Sequence, residues 1–180
     1  MTGRIDLILG PMFGAKTTEL LRRLRRFQYA GKRVVAVKSA KDTRYSEQAV
    51  ICTHSKDQFS DVLVANQLGD IDVSAYDVVG VDEGQFYSDL EQACEQWAAR
   101  GQVVIVAMLD GTYAREPFPS GCLGRLLPKC ESVEKLSAVC RCGADAAFTQ
   151  LTSDEQVGAS GELVGGAERY RAACRACHGK

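Results

Sequence analysis

The chain has 180 residues, 46% of them hydrophobic and 25% charged, enough to bury a core and to form one domain with a small appendage. A formal net charge of −1 excludes a global field that would recruit nucleic acid or an acidic membrane, and no apolar run approaches the length that spans a bilayer. Met1-Thr2-Gly3-Arg4 leads straight into an apolar stretch without the core of a signal peptide, so a cytoplasmic protein is expected and its eight cysteines read as reduced thiols or metal ligands.

Ile5-Asp6-Leu7-Ile8-Leu9 reads as a buried strand and Glu19-Leu20-Leu21-Arg22-Arg23-Leu24 as a helix, joined by Gly10-Pro11-Met12-Phe13-Gly14-Ala15-Lys16-Thr17-Thr18. A strand, a glycine-containing loop and Lys-Thr at a helix start form the layout of a phosphate-binding loop. In that layout the loop N–H groups and the helix N-terminus face phosphate oxygens, the lysine adds a full positive charge, and the hydroxyl reaches a magnesium ion. Ala15 stands directly before Lys16, where the usual pattern has glycine. On this stretch alone an ordinary strand-turn-helix is the competing reading. Further along, Leu20, Leu21, Leu24 and Phe27 recur at helical spacing with Arg22, Arg23, Arg25 and Arg26 between them, which predicts one packed and one solvated face.

Gly31 supplies a helix stop, and Arg33-Val34-Val35-Ala36-Val37-Lys38 reads as a second strand; strand, helix and strand predict a parallel pair with a right-handed crossover. The polar segment Ala40-Lys41-Asp42-Thr43-Arg44-Tyr45 follows the end of that strand, where open α/β sheets bind ligands. Arg44 is therefore a candidate phosphate contact, with a solvated loop arginine as the plain alternative. His54 reads as a structural, hydrogen-bonded histidine, with a ligand role as the alternative. Tyr76-Asp77-Val78-Val79-Gly80-Val81-Asp82-Glu83 is an apolar strand ending in two carboxylates, a layout that sets Asp82 near the magnesium of a phosphate loop and leaves Glu83 free to act as a base. A helix capped at Ser88-Asp89 runs toward Gly101, and Gln102-Val103-Val104-Ile105-Val106-Ala107-Met108-Leu109 has the continuous apolar character of a parallel strand covered on both faces. Its end runs into Asp110-Gly111-Thr112-Tyr113 at the same ligand edge, while Gly158 to Gly166 is a glycine-rich, flexible loop.

Cys52, Cys94, Cys122 and Cys130 stand singly, whereas Cys140-Arg141-Cys142 and Cys174-Arg175-Ala176-Cys177 are paired. Two pairs that tie the ends of a loop fit a tetrahedral four-thiolate zinc site, closed to substrate and therefore structural. The first pair is one residue tighter than the common C-x-x-C gap, and His178 is the replacement ligand if Cys140 does not reach. Reduced free thiols are the alternative.

In combination, G-P-M-F followed by K-T-T-E-L, A-K-D-T-R-Y at 40–45, D-E-G-Q-F at 82–86, L-D-G-T-Y at 109–113, P-F at 117–118, G-G-A-E-R-Y and the final C-R-A-C resemble the type II thymidine kinases, and the resemblance covers nearly the whole chain. It implies an α/β fold: a P-loop, ATP-binding parallel sheet flanked by helices over residues 1–135, and a small zinc-ribbon-like lasso domain over residues 136–180, assembled as a homotetramer. The implied activity is transfer of the ATP γ-phosphate to the 5′-hydroxyl of thymidine, with Mg2+ and a structural Zn2+; the charge and hydropathy above already argue for no nucleic-acid or membrane partner.

The resemblance also implies roles residue by residue. Lys16 and the loop from Gly10, Pro11, Met12, Phe13, Gly14 and Ala15 to Thr17 and Thr18 hold the ATP phosphates; Thr17 and Asp82 position magnesium; Arg44 stabilises the transferred phosphoryl group; Glu83 accepts the proton of the attacking hydroxyl. Met12, Phe86, Leu109, Tyr113, Phe118, Thr149 and Tyr170 line the nucleoside pocket, main-chain groups of Val164, Gly165, Gly166 and Ala167 read the base edge, and Cys140, Cys142, Cys174 and Cys177 bind zinc. The chain departs from the family at Gly14-Ala15, which reverses the expected order. If position 15 takes a positive φ, alanine there costs roughly 1–2 kcal/mol. Pro119-Ser120-Gly121-Cys122-Leu123-Gly124 and the lasso are longer than the family pattern. The alternative is accordingly a degenerate, non-catalytic or weakly active copy that binds nucleotide or serves as a structural partner. A zinc-ribbon nucleic-acid binder fits less well, because no basic patch is interleaved with aromatics.

Overall fold

Strands rich in valine and isoleucine on both faces need cover on both faces, and the chain supplies it with a doubly wrapped parallel sheet. The computed structural model describes residues 2–40, 51–52, 58–152 and 166–179. Its elements, in order, are β1 (Arg4–Gly10), α1 (Lys16–Tyr29), β2 (Val34–Ser39), β3 (Ile51–Cys52), β4 (Gln58–Phe59), β5 (Val62–Ala65), β6 (Val78–Val81), α2 (Leu90–Ala99), β7 (Val103–Leu109), α3 (Cys122–Leu126), β8 (Ser132–Lys135), β9 (Ala138–Val139), β10 (Asp145–Ala146), β11 (Phe148–Leu151), β12 (Tyr170–Ala173) and α4 (Arg175–His178). Six strands form the main sheet in the order β5-β2-β6-β7-β1-β8, every neighbouring pair parallel.

The side-chain alternation of the strands divides the core into two layers. Leu7 and Leu9 of β1, Val35 and Val37 of β2, and Val104, Val106 and Met108 of β7 pack with Leu90, Cys94 and Trp97 of α2 and with Leu126 of α3. Their neighbours Ile8, Val34, Ala36, Val103, Ile105 and Ala107 face Leu20, Leu21 and Leu24 of α1. Gly80 lets α1 sit this close, since a Cβ there would lie 2.7 Å from a methyl of Leu24. The arginines between these leucines are paired on the outer face: Glu19 holds Arg22 at 2.6 Å and Arg23 at 2.8 Å, and Arg23 also meets Glu134.

Two local expectations change. β1 and β2 are parallel but not neighbours, because β6 and β7 lie between them. α1 bridges that gap by packing over the more apolar strands, which take the centre of the sheet. At the start of α2, Asp89 occupies the N-cap position without a side-chain capping bond; its carboxylate accepts the Gly69 N–H at 2.8 Å instead. Of the single cysteines, Cys94 and Cys122 are buried and Cys130 partly so. The side chain of Cys52 and the whole of His54 lie outside the described residues.

Candidate active site

Because the sheet is parallel, β1, β2, β6 and β7 all end on one edge, and the predicted functional stretches that follow β1, β6 and β7 leave from that edge. The loop after β1 turns through Gly10 at φ 147°, Phe13 at φ 64° and Ala15 at φ 58° before α1 begins at Lys16. Successive changes of backbone hand turn N–H groups toward one concavity, the arrangement that holds anions. The Gly14 N–H donates to Pro11 O at 3.2 Å and closes the turn. Ala15, itself exposed, thus does adopt the left-handed conformation that glycine adopts without strain.

Lys16 is buried, and its Nζ donates to Pro11 O at 2.8 Å, which folds the ammonium back over the loop. Thr17 Oγ1 lies 3.1 Å from both carboxylate oxygens of Asp82, so the first turn of α1 meets the end of β6. Asp82 is buried, and its Oδ1 also accepts the Glu83 N–H at 3.1 Å. A hydroxyl and a carboxylate converging beside a phosphate loop are hard oxygen donors of the kind that magnesium takes.

Glu83 is itself left-handed, at φ 52°, which turns its side chain away from the strand direction. Its Oε2 accepts a hydrogen bond from Gln85 Nε2, and Gln85 Oε1 accepts the Leu109 N–H at 3.1 Å. Gln85, 2% exposed, therefore ties the candidate base to the end of β7, where a predicted pocket residue sits. The D-E-G-Q-F motif contained this glutamine, but motif spacing alone carried no sign of its two partners. Phe86 and Phe118 are half-buried, and Tyr113 is half-buried in the loop that leaves β7.

The cysteine-bearing segment comes back to the same edge. β9 and β10 form a short hairpin, β11 pairs antiparallel with β12, and α4 follows. Phe13 of the phosphate loop packs against Ala138, Cys140, Ala146 and Ala172, and the Met12 N–H donates to Thr149 Oγ1 at 3.0 Å. Thr149 and Tyr170 are buried on β11 and β12, with Gly166 and Ala167 just before β12 in a turn where the Tyr170 N–H reaches Gly166 O at 3.0 Å. Arg44, Val164 and Gly165 lie outside the described residues.

The ligand atoms of Cys140, Cys142, Cys174 and Cys177 all lie within 4.8 Å of one another, and the Sγ atoms of Cys142 and Cys174 are 3.6 Å apart. A Zn–S bond of about 2.3 Å in a tetrahedron requires sulfurs about 3.8 Å apart, so the four thiols fit zinc. The tight C-x-C pair reaches because the chain reverses behind it: Gly143, at φ 86°, donates its N–H to Cys140 O at 2.8 Å, and the Cys140 N–H bonds to Ala144 O at 2.8 Å. N–H groups of Cys142 and Cys174 aimed at the Cys140 sulfur lower its thiol to about 6. Hydrogen bonding with Cys174 holds the Cys177 proton and raises that thiol to about 12. His178 is not among the four.

A cavity of about 500 Å³ lies elsewhere, lined by residues that include Arg4, Asp6, Arg22, Arg26 and Phe27, and contains none of the predicted site residues.

A family model described as thymidine kinase matches residues 3–178. The chain is 46% identical to the cytosolic thymidine kinase of Homo sapiens over 182 residues, an alignment covering 99% of this chain and 74% of the human protein. It is 42% identical to the thymidine kinase of raccoon poxvirus, across 98% of this chain and 97% of the viral one, and 40% identical to thymidine kinase 1 of Dictyostelium discoideum, across 99% and 78%. With the phosphate loop, the acidic strand end and the four-cysteine cluster all inside the matched span, the chain belongs to the thymidine kinase family.

Proposed function

We propose that the chain is an ATP-dependent thymidine kinase that moves the γ-phosphoryl group of ATP to the 5′-hydroxyl of thymidine, giving thymidine monophosphate and ADP. The observation that carries the reading is the meeting of Thr17 with Asp82 beside the loop, with Glu83 as the next residue. Loop N–H groups and Lys16 bind the phosphates, Lys16 exchanging its bond to Pro11 O for a phosphate oxygen. Thr17 and Asp82 are the residues that would hold Mg2+, which when bound neutralises charge on the β- and γ-phosphates. Glu83 takes the 5′-hydroxyl proton as that oxygen bonds to the γ-phosphorus and the bond to the ADP oxygen breaks. Arg44 is assigned to the transferred group by resemblance alone.

Met12, Phe86, Leu109, Tyr113, Phe118, Thr149 and Tyr170 are assigned to the nucleoside pocket, and Val164 to Ala167 to the base edge. The four cysteines bind a structural Zn2+ in a lasso domain of residues 136–180 that sits on the ATP-binding domain of residues 1–135. A homotetramer in the cytoplasm completes the proposal; the human and bovine relatives are named cytosolic, and no helix among the described residues is long and apolar enough to cross a membrane. The degenerate, non-catalytic alternative draws no support from the human, raccoon poxvirus and Dictyostelium relatives, each named a thymidine kinase.

The test is turnover of ATP that depends on both thymidine and magnesium, with thymidine monophosphate identified as the product. A folded, zinc-loaded sample that forms none would overturn the reading.

A further inference from the structure

His178 follows the last cysteine directly, yet its ring is engaged outside the sulfur cluster. Its Nε2 lies 2.9 Å from Tyr113 O and 3.1 Å from Thr149 O. Neither carbonyl can donate, so Nε2 carries a hydrogen and shares it between the two. The ring is held against Phe148 edge to face, with centroids 5.7 Å apart, and the guanidinium groups of Arg175 and Arg115 lie 4.9 and 5.7 Å from the centroid of the same Phe148 ring. The backbone of His178 is fixed as well: its N–H reaches Cys174 O at 3.0 Å, and its own carbonyl accepts from Gln150 Nε2 at 2.9 Å.

The two carbonyls belong to segments far apart in sequence. Tyr113 sits in the loop after β7, whose own bonds, Thr112 N–H to Glu116 O at 2.9 Å and Arg115 N–H to Thr112 O at 3.0 Å, tighten the loop on itself without attaching it to β11. Thr149 sits on β11 and holds the phosphate loop through the Met12 N–H. The imidazole N–H thus hydrogen-bonds the Tyr113 loop to β11, beside the longer contact of Arg115 with the Phe148 ring. We propose that His178 is a positioning residue for the nucleoside: it holds Tyr113 and Thr149 at the spacing that receives thymidine and couples the cysteine-bearing end of the chain to the pocket. The role rests on the kinase reading above and on the assignment of Tyr113 and Thr149 to the pocket.

Losing the donor leaves two carbonyls without their shared hydrogen and frees the loop, while Lys16, Thr17 and Asp82 stay in place. The test compares the parent full-length, zinc-loaded protein with H178F, which keeps a ring against Phe148 but has no donor, and with H178Q, whose amide restores one. H178F is expected to keep the parent's zinc content, to raise KM for thymidine about tenfold and to leave KM for ATP within about twofold, and H178Q to recover most of the loss. A thymidine KM unchanged in H178F, equal rises in both KM values, loss of zinc or fold in H178F, or an H178Q as impaired as H178F would each overturn the proposal. A parent that forms no thymidine monophosphate would refute the kinase reading and this one with it. An active parent with an indifferent H178F would refute only the role of His178.

Discussion

Thr17 Oγ1 lies 3.1 Å from each carboxylate oxygen of Asp82, a contact across 65 residues that joins the first turn of α1 to the end of β6. If these oxygens are the magnesium donors, removing either must weaken magnesium binding more than the fold. T17A and D82N are expected to lower kcat by at least about a hundredfold and to shift the magnesium titration to higher concentration. Kinetics at varied magnesium check this. An unchanged titration in both variants would remove the assignment.

Glu83 and Gln85 act as a pair, with Gln85 bridging the glutamate to the Leu109 N–H. If Glu83 is the proton acceptor proposed above, E83Q is expected to cost about 10²–10⁴ in kcat. Q85A leaves the Leu109 N–H without its acceptor and the carboxylate without its guide, so it is expected to lower both kcat and stability, the latter by about 1–3 kcal/mol. Rates and urea midpoints measured on the same preparations separate the two effects. A Q85A with parental kcat would show that Glu83 needs no such support.

Ala15 at φ 58° is strained in the folded state, and glycine at the same place is not. The added freedom of glycine in the unfolded chain offsets part of the gain. A15G is expected to raise stability by about 0.5–1 kcal/mol, read as a higher urea midpoint at constant m-value, and to lower KM for ATP. A midpoint that falls would show that the loop tolerates alanine at no cost.

The four-sulfur cluster gathers segments from both sides of β11 and β12 and touches the phosphate loop through Phe13. Zinc at about one equivalent per chain is expected, and its removal by a chelator should lower the melting temperature and abolish thymidine turnover together. C142S is expected to do the same, measured by metal content and thermal melting. Full activity in protein stripped of metal would exclude a structural role for zinc.

Glu19 accepts hydrogen bonds from Arg22 and Arg23, which hold its carboxyl at about 2, below the ordinary 4.5. A depressed carboxyl stabilises the fold above its unfolded value, and that contribution is lost as pH falls through the folded one. The stability gap between parent and E19Q is expected to be constant above about 4.5 and to close as pH approaches about 2. Denaturant midpoints across this range check it. A gap that widens on acidification would contradict the pairing.

By itself the sequence determined the strand-loop-helix around Lys16, the acidic end of β6 and the two cysteine pairs, because each is local: apolar period, capping and ligand spacing operate over a few residues. The tertiary structure alone decided that β6 and β7 separate β1 from β2, that Ala15 and Glu83 are left-handed, that Gln85 reaches Leu109, and that His178 serves two carbonyls and leaves the sulfur cluster to four cysteines. Those facts depend on which surfaces meet once the sheet has formed. A side chain's partner lies tens of residues away, and no local pattern records the choice.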